Sequence, residues 1–140
     1  MRDSLDEETT ARRLEPTPPS IGRTLRSFGY AVAGLGYLVR TQPNFRVHLC
    51  ATIAVIGAAA ALRASAIEVA VLLLAIGLVL VGEAFNTALE AAVDLASPGL
   101  HPLAKVAKDV TAAGVLLAAG VAAATGLIVL GPKLAALLSP

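Results

Sequence analysis

Apolar residues form three long runs in this chain, separated by short polar turns. Since about 20 apolar residues in a helix cross the hydrocarbon core of a bilayer, each run with its flanks predicts a membrane-spanning helix. The predicted spans cover about residues 46–62, 66–95 and 104–130. The pattern therefore predicts an all-α membrane protein.

The stretch before these runs, residues 21–40, repeats apolar residues at helical spacing. The repeated positions are Ile21, Leu25, Phe28, Val32, Leu35 and Val39. Because Arg23 and Arg26 lie away from that face, the pattern predicts an N-terminal amphipathic helix in the membrane interface. A helix docked on other protein fits the same pattern, and the two interpretations are compatible. Pro43 predicts the end of this amphipathic helix, and Asn44 is predicted to cap the start of the next helix.

The two ends of the chain are predicted to lie outside the spans. Residues 1–20 are charged, rich in proline and almost free of apolar side chains, which predicts a disordered tail and no secretory signal. Residues 21–140 then form a single domain. Gly131 and Pro132 predict the end of the third span, followed by a short tail.

Composition supports a membrane location. Of the 140 residues, 56% are hydrophobic and 15% are charged, whereas soluble domains have about 25% charged residues. A net charge of +1 gives no indication of a nucleic-acid partner. The single Cys50 excludes an intrachain disulfide.

The residues GEAFNTALEAAVDL, at the end of the second run, carry Glu83, Asn86, Glu90 and Asp94. At about 100° per residue these four side chains fall within roughly a quarter-turn of one another on a helix, and we call them the acidic stripe. Carboxylates at membrane depth face a protein interior or a polar cavity. Mg²⁺ is the natural counter-charge for such oxygen ligands. The alternative is a solvated last turn of a helix emerging into water.

Positive charges predict the orientation of the chain. Most of the arginines precede the first span, and Lys105 and Lys108 follow the second, whereas Arg63 and Lys133 fall on the other side. By the positive-inside rule, the N-terminus and the loop at residues 96–102 are predicted to be cytoplasmic. The acidic stripe and the lysines then meet at the cytoplasmic interface of the cell membrane.

Carboxylates for Mg²⁺, cations for phosphate and a remaining carboxylate for a hydroxyl are the groups that phosphoryl transfer needs. The chain contains neither a Walker motif nor a kinase glycine loop. Two other classes of function remain open. A protein that binds ions or protons predicts acids spread across the membrane depth, and a non-catalytic assembly protein leaves the acidic stripe unexplained.

Two motifs carry a resemblance to a known family. The first, ExxNTAxExxVD, runs from Glu83 to Asp94, and the second, AKxAKD, runs from Ala104 to Asp109. With NFRVH at residues 44–48, they resemble the prokaryotic diacylglycerol kinase and undecaprenol kinase family over nearly all of the chain after the tail. The resemblance implies a homotrimer of three-span subunits in the membrane. It also implies Mg²⁺-dependent transfer of the ATP γ-phosphate to a lipid hydroxyl, at sites shared between subunits.

Position by position, the resemblance implies a role for each polar residue. Glu83 is the expected general base at the lipid hydroxyl, and Glu90 and Gln42 are the expected Mg²⁺ ligands. Asn86 is expected to orient the stripe or the substrate, and Asp94 to support it. The expected nucleotide contacts are Arg23, Tyr30, Gln42, Glu90, Gly99, Leu100, His101, Lys108 and Asp109.

Three of these residues also have a structural interpretation. Lys108 fits simple positive-inside charge, Tyr30 an interface anchor, and Asp109 a helix N-terminal acid. In addition, Gln42 stands where the family often has a glutamate. An amide oxygen can still bind Mg²⁺ without supplying charge, so a catalytically impaired homologue remains an alternative. Generic apolar contacts leave diacylglycerol and undecaprenol both open as acceptors.

Overall fold

The structure, a computed structural model, describes residues 21–99 and 101–139. The predicted 1–20 tail lies outside the described residues. The described part folds into four α-helices and contains no strand. The helices are α1 Ile21–Thr41, α2 Pro43–Ala61, α3 Ala66–Ala96 and α4 Pro102–Leu138. The predicted all-α membrane fold, with an amphipathic helix before three long apolar helices, is confirmed.

The chain divides into two compact units within α1, one ending at Leu35 and the other beginning at Gly36. The first unit contains the amphipathic part of α1. Its apolar positions are fully open, with Ile21 82% exposed and Phe28 66% exposed. An apolar helical face left open in this way suits the membrane interface that its pattern predicts.

A single residue, Gln42, separates α1 from α2. Its backbone is extended, with φ −103° and ψ 105°, and Pro43 takes the first helical position after it. Proline suits that position, because its fixed φ is helical and the N–H that it lacks has no partner in the first turn. The prediction of Asn44 as the cap is therefore wrong. The cap position is occupied by Gln42. Pro43 is the first residue of α2, and Asn44 is the second.

The turn between α2 and α3 satisfies its own backbone groups. Arg63 has a left-handed φ of 52°, which lets its N–H donate to Ala60 and the N–H of Ala64 donate to Ala59. This pattern ends a helix by the Schellman motif, usually with glycine at the left-handed position. Ser65 then begins α3 with a capping box, its hydroxyl accepting from the Glu68 N–H.

The longest apolar helices, α3 and α4, make the most extensive contact in the second unit. Leu72 and Val79 of α3 and Val115 of α4 are among the buried apolar residues of this unit. Gly82 faces this contact, and a methyl group added there would lie at an ordinary contact distance of 3.9 Å from Val115 Cγ2. Small residues allow close approach between membrane helices.

The predicted end of the third span at Gly131 and Pro132 is wrong, because α4 continues through both to Leu138. Proline removes one backbone N–H from the ladder, a loss that helices in membranes tolerate when neighbouring groups compensate. The neighbouring turn is tied down here, since Lys133 Nζ lies 3.1 Å from Glu68 Oε2 of α3.

Three helices, α2, α3 and α4, are long and apolar enough to cross a membrane. Most of their large apolar side chains remain exposed, including Leu74 of α3 and Leu117 of α4. Exposed apolar area on this scale requires an apolar solvent or a partner surface. The chain is therefore a multi-pass membrane protein.

Candidate active site

Glu83 is the most buried charged side chain of the described residues, with 3% of its surface exposed. It lies in the second half of α3, and its near neighbours along the helix, Asn86 and Thr87, are each 8% exposed. These three polar residues are thus buried within a single chain. Burying a carboxylate costs free energy unless other groups interact with it, which makes this part of α3 the leading candidate for a functional site.

Asn86 links the buried part of the acidic stripe to its half-buried part. Its Nδ2 donates to Glu90 Oε1 at 3.2 Å. Its other polar atom, Oδ1, is buried and has no hydrogen-bond partner among the described residues. Buried acceptors are nearly always paired in folded proteins. The orphaned oxygen therefore indicates a place for a donor or a cation.

The acidic stripe becomes more exposed along α3. Glu83 is buried, Glu90 is half-buried and Asp94 is open, with 66% of its side chain exposed. Asp94 Oδ1 pairs with Lys108 Nζ of α4 at 2.5 Å. The ion pair brings a cation from the second predicted motif to the exposed end of the stripe. The two motifs, 14 residues apart at this contact, therefore meet in space.

Asp109, the neighbour of Lys108, has a different partner. It pairs with Lys105 one turn earlier on α4, and both side chains are largely exposed. Exposed pairs of this kind contribute little to stability. Both groups consequently remain open to competition from a charged ligand.

The loop before α4 contains three of the predicted nucleotide contacts. His101 begins α4 by accepting a hydrogen bond from the Leu103 N–H at Nδ1, 3.2 Å away. Gly99 is exposed, and its carbonyl accepts a 3.5 Å hydrogen bond from the Ser97 hydroxyl. Leu100 lies outside the described residues. The geometry gives His101 a capping role, and its contact with nucleotide stays a prediction.

The remaining predicted contacts lie near the beginning of the described chain. Gln42 is half-buried at the break between α1 and α2, and its Nε2 donates to Thr41 Oγ1 at 3.3 Å. Arg23 and Tyr30 belong to the first unit, where Tyr30 is 75% exposed. Their roles toward nucleotide remain predictions.

Within residues 21–99 and 101–139, no three His, Cys, Asp or Glu side chains converge on one point. Mg²⁺ is usually bound by one or two carboxylates together with substrate phosphates and water. Glu90, together with the orphaned Oδ1 of Asn86, supplies hard oxygen ligands of that kind. The residues present therefore fit a magnesium ion that arrives with a phosphate ligand.

Sequence reasoning missed Thr87. It lies four residues after Glu83, about 40° around the helix, and so borders the acidic stripe, about 20° beyond Asp94. Its hydroxyl is buried and donates to the Glu83 carbonyl oxygen at 3.0 Å. The helical angle could have identified it, but attention to ionisable and amide groups passed over a hydroxyl.

The sequence is similar to those of known proteins. Residues 29–130 match the family described as prokaryotic diacylglycerol kinase. A diacylglycerol kinase of Synechocystis sp. is 50% identical over 115 residues, which cover 81% of this chain and 66% of that relative. An undecaprenol kinase of Bacillus subtilis is 38% identical over 114 residues, which cover 81% of this chain and 93% of the relative. A diacylglycerol kinase of Pseudomonas aeruginosa is 33% identical over 109 residues, 75% of this chain and 89% of the relative.

The matched residues contain the acidic stripe, the lysines that face it and Gln42, whereas Arg23 precedes them. The membrane-spanning helices agree with a membrane enzyme. The family match and these relatives, two named diacylglycerol kinase and one undecaprenol kinase, identify the chain as a member of the prokaryotic diacylglycerol kinase family of lipid kinases.

Proposed function

We propose that this protein transfers the γ-phosphoryl group of ATP to the hydroxyl of a membrane lipid, diacylglycerol or undecaprenol. The observation that carries the proposal is the buried Glu83 beside the orphaned oxygen of Asn86, at the end of an apolar helix. An apolar surface there suits the lipid chains, and the more exposed end of the stripe suits a charged nucleotide.

Glu83 is the general base. Its carboxylate takes the proton of the lipid hydroxyl as the hydroxyl oxygen forms a bond to the γ-phosphorus. The bond from that phosphorus to the oxygen bridging the β- and γ-phosphates breaks, and ADP leaves. Burial at 3% exposure supports this role, because it keeps water from competing with the lipid hydroxyl for the phosphoryl group.

Glu90, with the amide oxygens of Asn86 and Gln42, would hold Mg²⁺ together with the phosphates of ATP. Bound there, the ion would neutralise phosphate charge during transfer. The hydrogen bond from Asn86 Nδ2 orients Glu90 and leaves Oδ1 of Asn86 without a partner in the chain itself. Gln42 is a neutral ligand, so the site has one anion fewer than a site with glutamate at that position.

The nucleotide is held by residues around the exposed end of the stripe. Lys108 has three N–H donors and uses one on Asp94, which leaves donors for phosphate oxygens. Asp109, held by Lys105, is in a position to accept from a hydroxyl or amino group of the nucleotide. Further contacts come from Arg23, Tyr30, Gly99, Leu100 and His101.

Positive-inside charge favours the cytoplasmic side for this site, where ATP is available. The resemblance to the family further suggests a homotrimer in which neighbouring subunits complete each site. Ion or proton transport remains the less favoured class, since the acids of α3 near the site increase in exposure toward one end instead of following a path across the membrane.

The test is an assay of the purified full chain in lipid vesicles with radiolabelled ATP, Mg²⁺ and either diacylglycerol or undecaprenol. We expect a phosphorylated lipid with at least one acceptor, and loss of the product in Glu83→Gln. Glu68→Gln is the control for loss of a carboxylate from the other end of the same helix. Because Glu68 pairs with Lys133, the circular dichroism of both variants is compared with that of the unmodified protein.

Two results would overturn the proposal. One is the absence of product with both lipids from protein that keeps its helical circular dichroism. The other is a Glu83→Gln variant with the turnover of the unmodified protein. A product with one lipid alone would identify the acceptor, which the names of the relatives leave divided between the two.

A further inference from the structure

Thr87 makes a buried hydrogen bond to the backbone of Glu83, from its hydroxyl to the Glu83 carbonyl oxygen at 3.0 Å. Among the described residues, threonine hydroxyls at several other positions bond the preceding turn in the same way, and those named next are not buried. They belong to Thr41, Thr52, Thr111 and Thr125. The Thr87 bond differs from these because it is buried. The residue whose carbonyl accepts it, Glu83, is buried as well.

A hydroxyl bonded to the carbonyl four residues earlier draws that carbonyl away from the helix ladder and bends the helix slightly. The bond also selects one rotamer for threonine, which otherwise divides between two in a helix. Helical side chains lean toward the N-terminus, so the Thr87 side chain covers the turn that begins at Glu83. Both effects act on the direction in which the Glu83 carboxylate leaves the helix.

We propose that Thr87 is a positioning residue, which fixes the orientation of Glu83 through this buried hydrogen bond. The inference rests on the proposed role of Glu83 as the base. Whether Thr87 orients the Glu83 side chain can be measured independently of that role. A displacement of about 1 Å at a reacting group can lower turnover about a hundredfold, so a bond that sets the backbone of Glu83 has a large effect on rate and a small one on nucleotide binding.

The experiment compares Thr87→Val and Thr87→Ser in the full chain. Valine keeps the shape and removes the hydroxyl, whereas serine keeps the hydroxyl and removes the methyl group. We expect Thr87→Val to lower kcat by at least roughly tenfold with an unchanged KM for ATP. Thr87→Ser is expected to keep most of the kcat of the unmodified protein. Thr125→Val removes the same kind of bond from an exposed position on α4 and is the matched control.

A second measurement reports on Glu83 without requiring activity. The ¹³C resonance of the Glu83 carboxyl group, assigned by its loss in Glu83→Gln, is recorded for each variant in bilayer nanodiscs. We expect it to shift in Thr87→Val and to stay in place in Thr87→Ser and Thr125→Val. If Thr87→Val does not fold, Thr87→Ala takes its place in both measurements.

Unchanged kcat and an unchanged Glu83 resonance in the variant without the hydroxyl would overturn the inference, as would equal losses in the valine and serine variants. If the unmodified protein phosphorylates neither lipid, the proposed function fails. The carboxyl resonance still decides whether Thr87 orients Glu83, so the two failures are distinguishable.

Discussion

Glu83, Glu90 and Asp94 lie on one face of α3 but in three different environments. Glu83 is buried, Glu90 is half-buried and bonded to Asn86, and Asp94 is open and paired with Lys108. A general base for a lipid hydroxyl is favoured at the buried position, and a ligand for a hydrated metal ion is favoured at a more solvent-exposed position. We therefore divide the two roles between Glu83 and Glu90.

This division is tested by shortening each side chain. Glu83→Asp withdraws the carboxylate from the lipid hydroxyl, and we expect turnover to fall about a hundredfold with the same Mg²⁺ dependence. Glu90→Asp is expected to raise the Mg²⁺ concentration for half-maximal rate. The measurement is the initial rate of lipid phosphorylation against Mg²⁺ concentration. If the Glu83 variant shifts the Mg²⁺ curve and the Glu90 variant does not, the roles must be exchanged.

Gln42 offers a test of the proposed metal site from the other side. Gln42→Glu adds an anionic ligand of similar shape, and we expect it to lower the Mg²⁺ concentration for half-maximal rate by roughly tenfold. Asn44→Glu adds the same charge at an exposed position two residues later and is the control. Equal Mg²⁺ curves for Gln42→Glu and the unmodified protein would remove Gln42 from the metal site.

The helices α3 and α4 are joined at both ends by ion pairs. Near the site, Asp94 pairs with Lys108, and at the far end Lys133 pairs with Glu68, whose Oε2 also accepts from the Ser65 N–H at 2.6 Å. The far pair is only about 30% exposed on either side chain, with 29% for Lys133 and 31% for Glu68. It connects the turn after Pro132 to the start of α3.

Lys133→Met removes this far connection while keeping the apolar stem of the side chain. We expect a lower midpoint of thermal unfolding, because Glu68 loses a partner at a partly buried position. Lys105→Met breaks the exposed Lys105–Asp109 pair within α4 and is expected to leave the midpoint nearly unchanged. Thermal unfolding in detergent, followed by circular dichroism, compares the two. Equal midpoints for both variants would contradict a bracing role for Lys133.

If the three apolar helices all cross the membrane, the segments before the first and after the third are expected on opposite sides of it. The charge asymmetry favours a cytoplasmic N-terminus. In a Cys50→Ala background, we expect a cysteine at Ser4 to be labelled from the cytoplasmic side and one at Ser139 from the outside. The measurement uses a membrane-impermeant maleimide on right-side-out and inverted vesicles. Labelling of both positions from one side would contradict the odd number of spans.

The homotrimer that the family resemblance implies would give the acidic stripe cover from neighbouring subunits. The chain supplies that cover for Glu83 and Asn86 itself, and it leaves Glu90 half-buried and Asp94 open. Neighbouring subunits are therefore expected at the open end, where nucleotide would bind, and not around the base.

Sharing of sites between subunits is tested by mixing two inactive variants, Glu83→Gln and Arg23→Ala. If the two residues serve one site from different subunits, mixed oligomers recover part of the activity. Each variant mixed with itself is the control. No recovery from mixtures that cross-linking shows to be mixed oligomers would place both residues in one subunit or remove Arg23 from the site.

Much of this fold is determined locally and is therefore readable from the sequence. The apolar runs require helices, because a backbone in lipid must satisfy its own hydrogen bonds. The helical repeat then places Glu83, Asn86, Glu90 and Asp94 on one face, whatever surrounds them. The resemblance carried by the two motifs added the family, which the comparison with known proteins confirms.

Contacts between distant residues were decided by the tertiary structure. The burial of Glu83 and the Asp94–Lys108 pair depend on how the helices pack, and the continuation of α4 past Pro132 was not readable from the local pattern. A sequence pattern gives the direction of a side chain around its own helix but not its depth or its partner on the next one. Sequence therefore determined which residues share a face of the helix. Packing decided which of them is buried, which forms an ion pair and which has a buried oxygen without a hydrogen-bond partner.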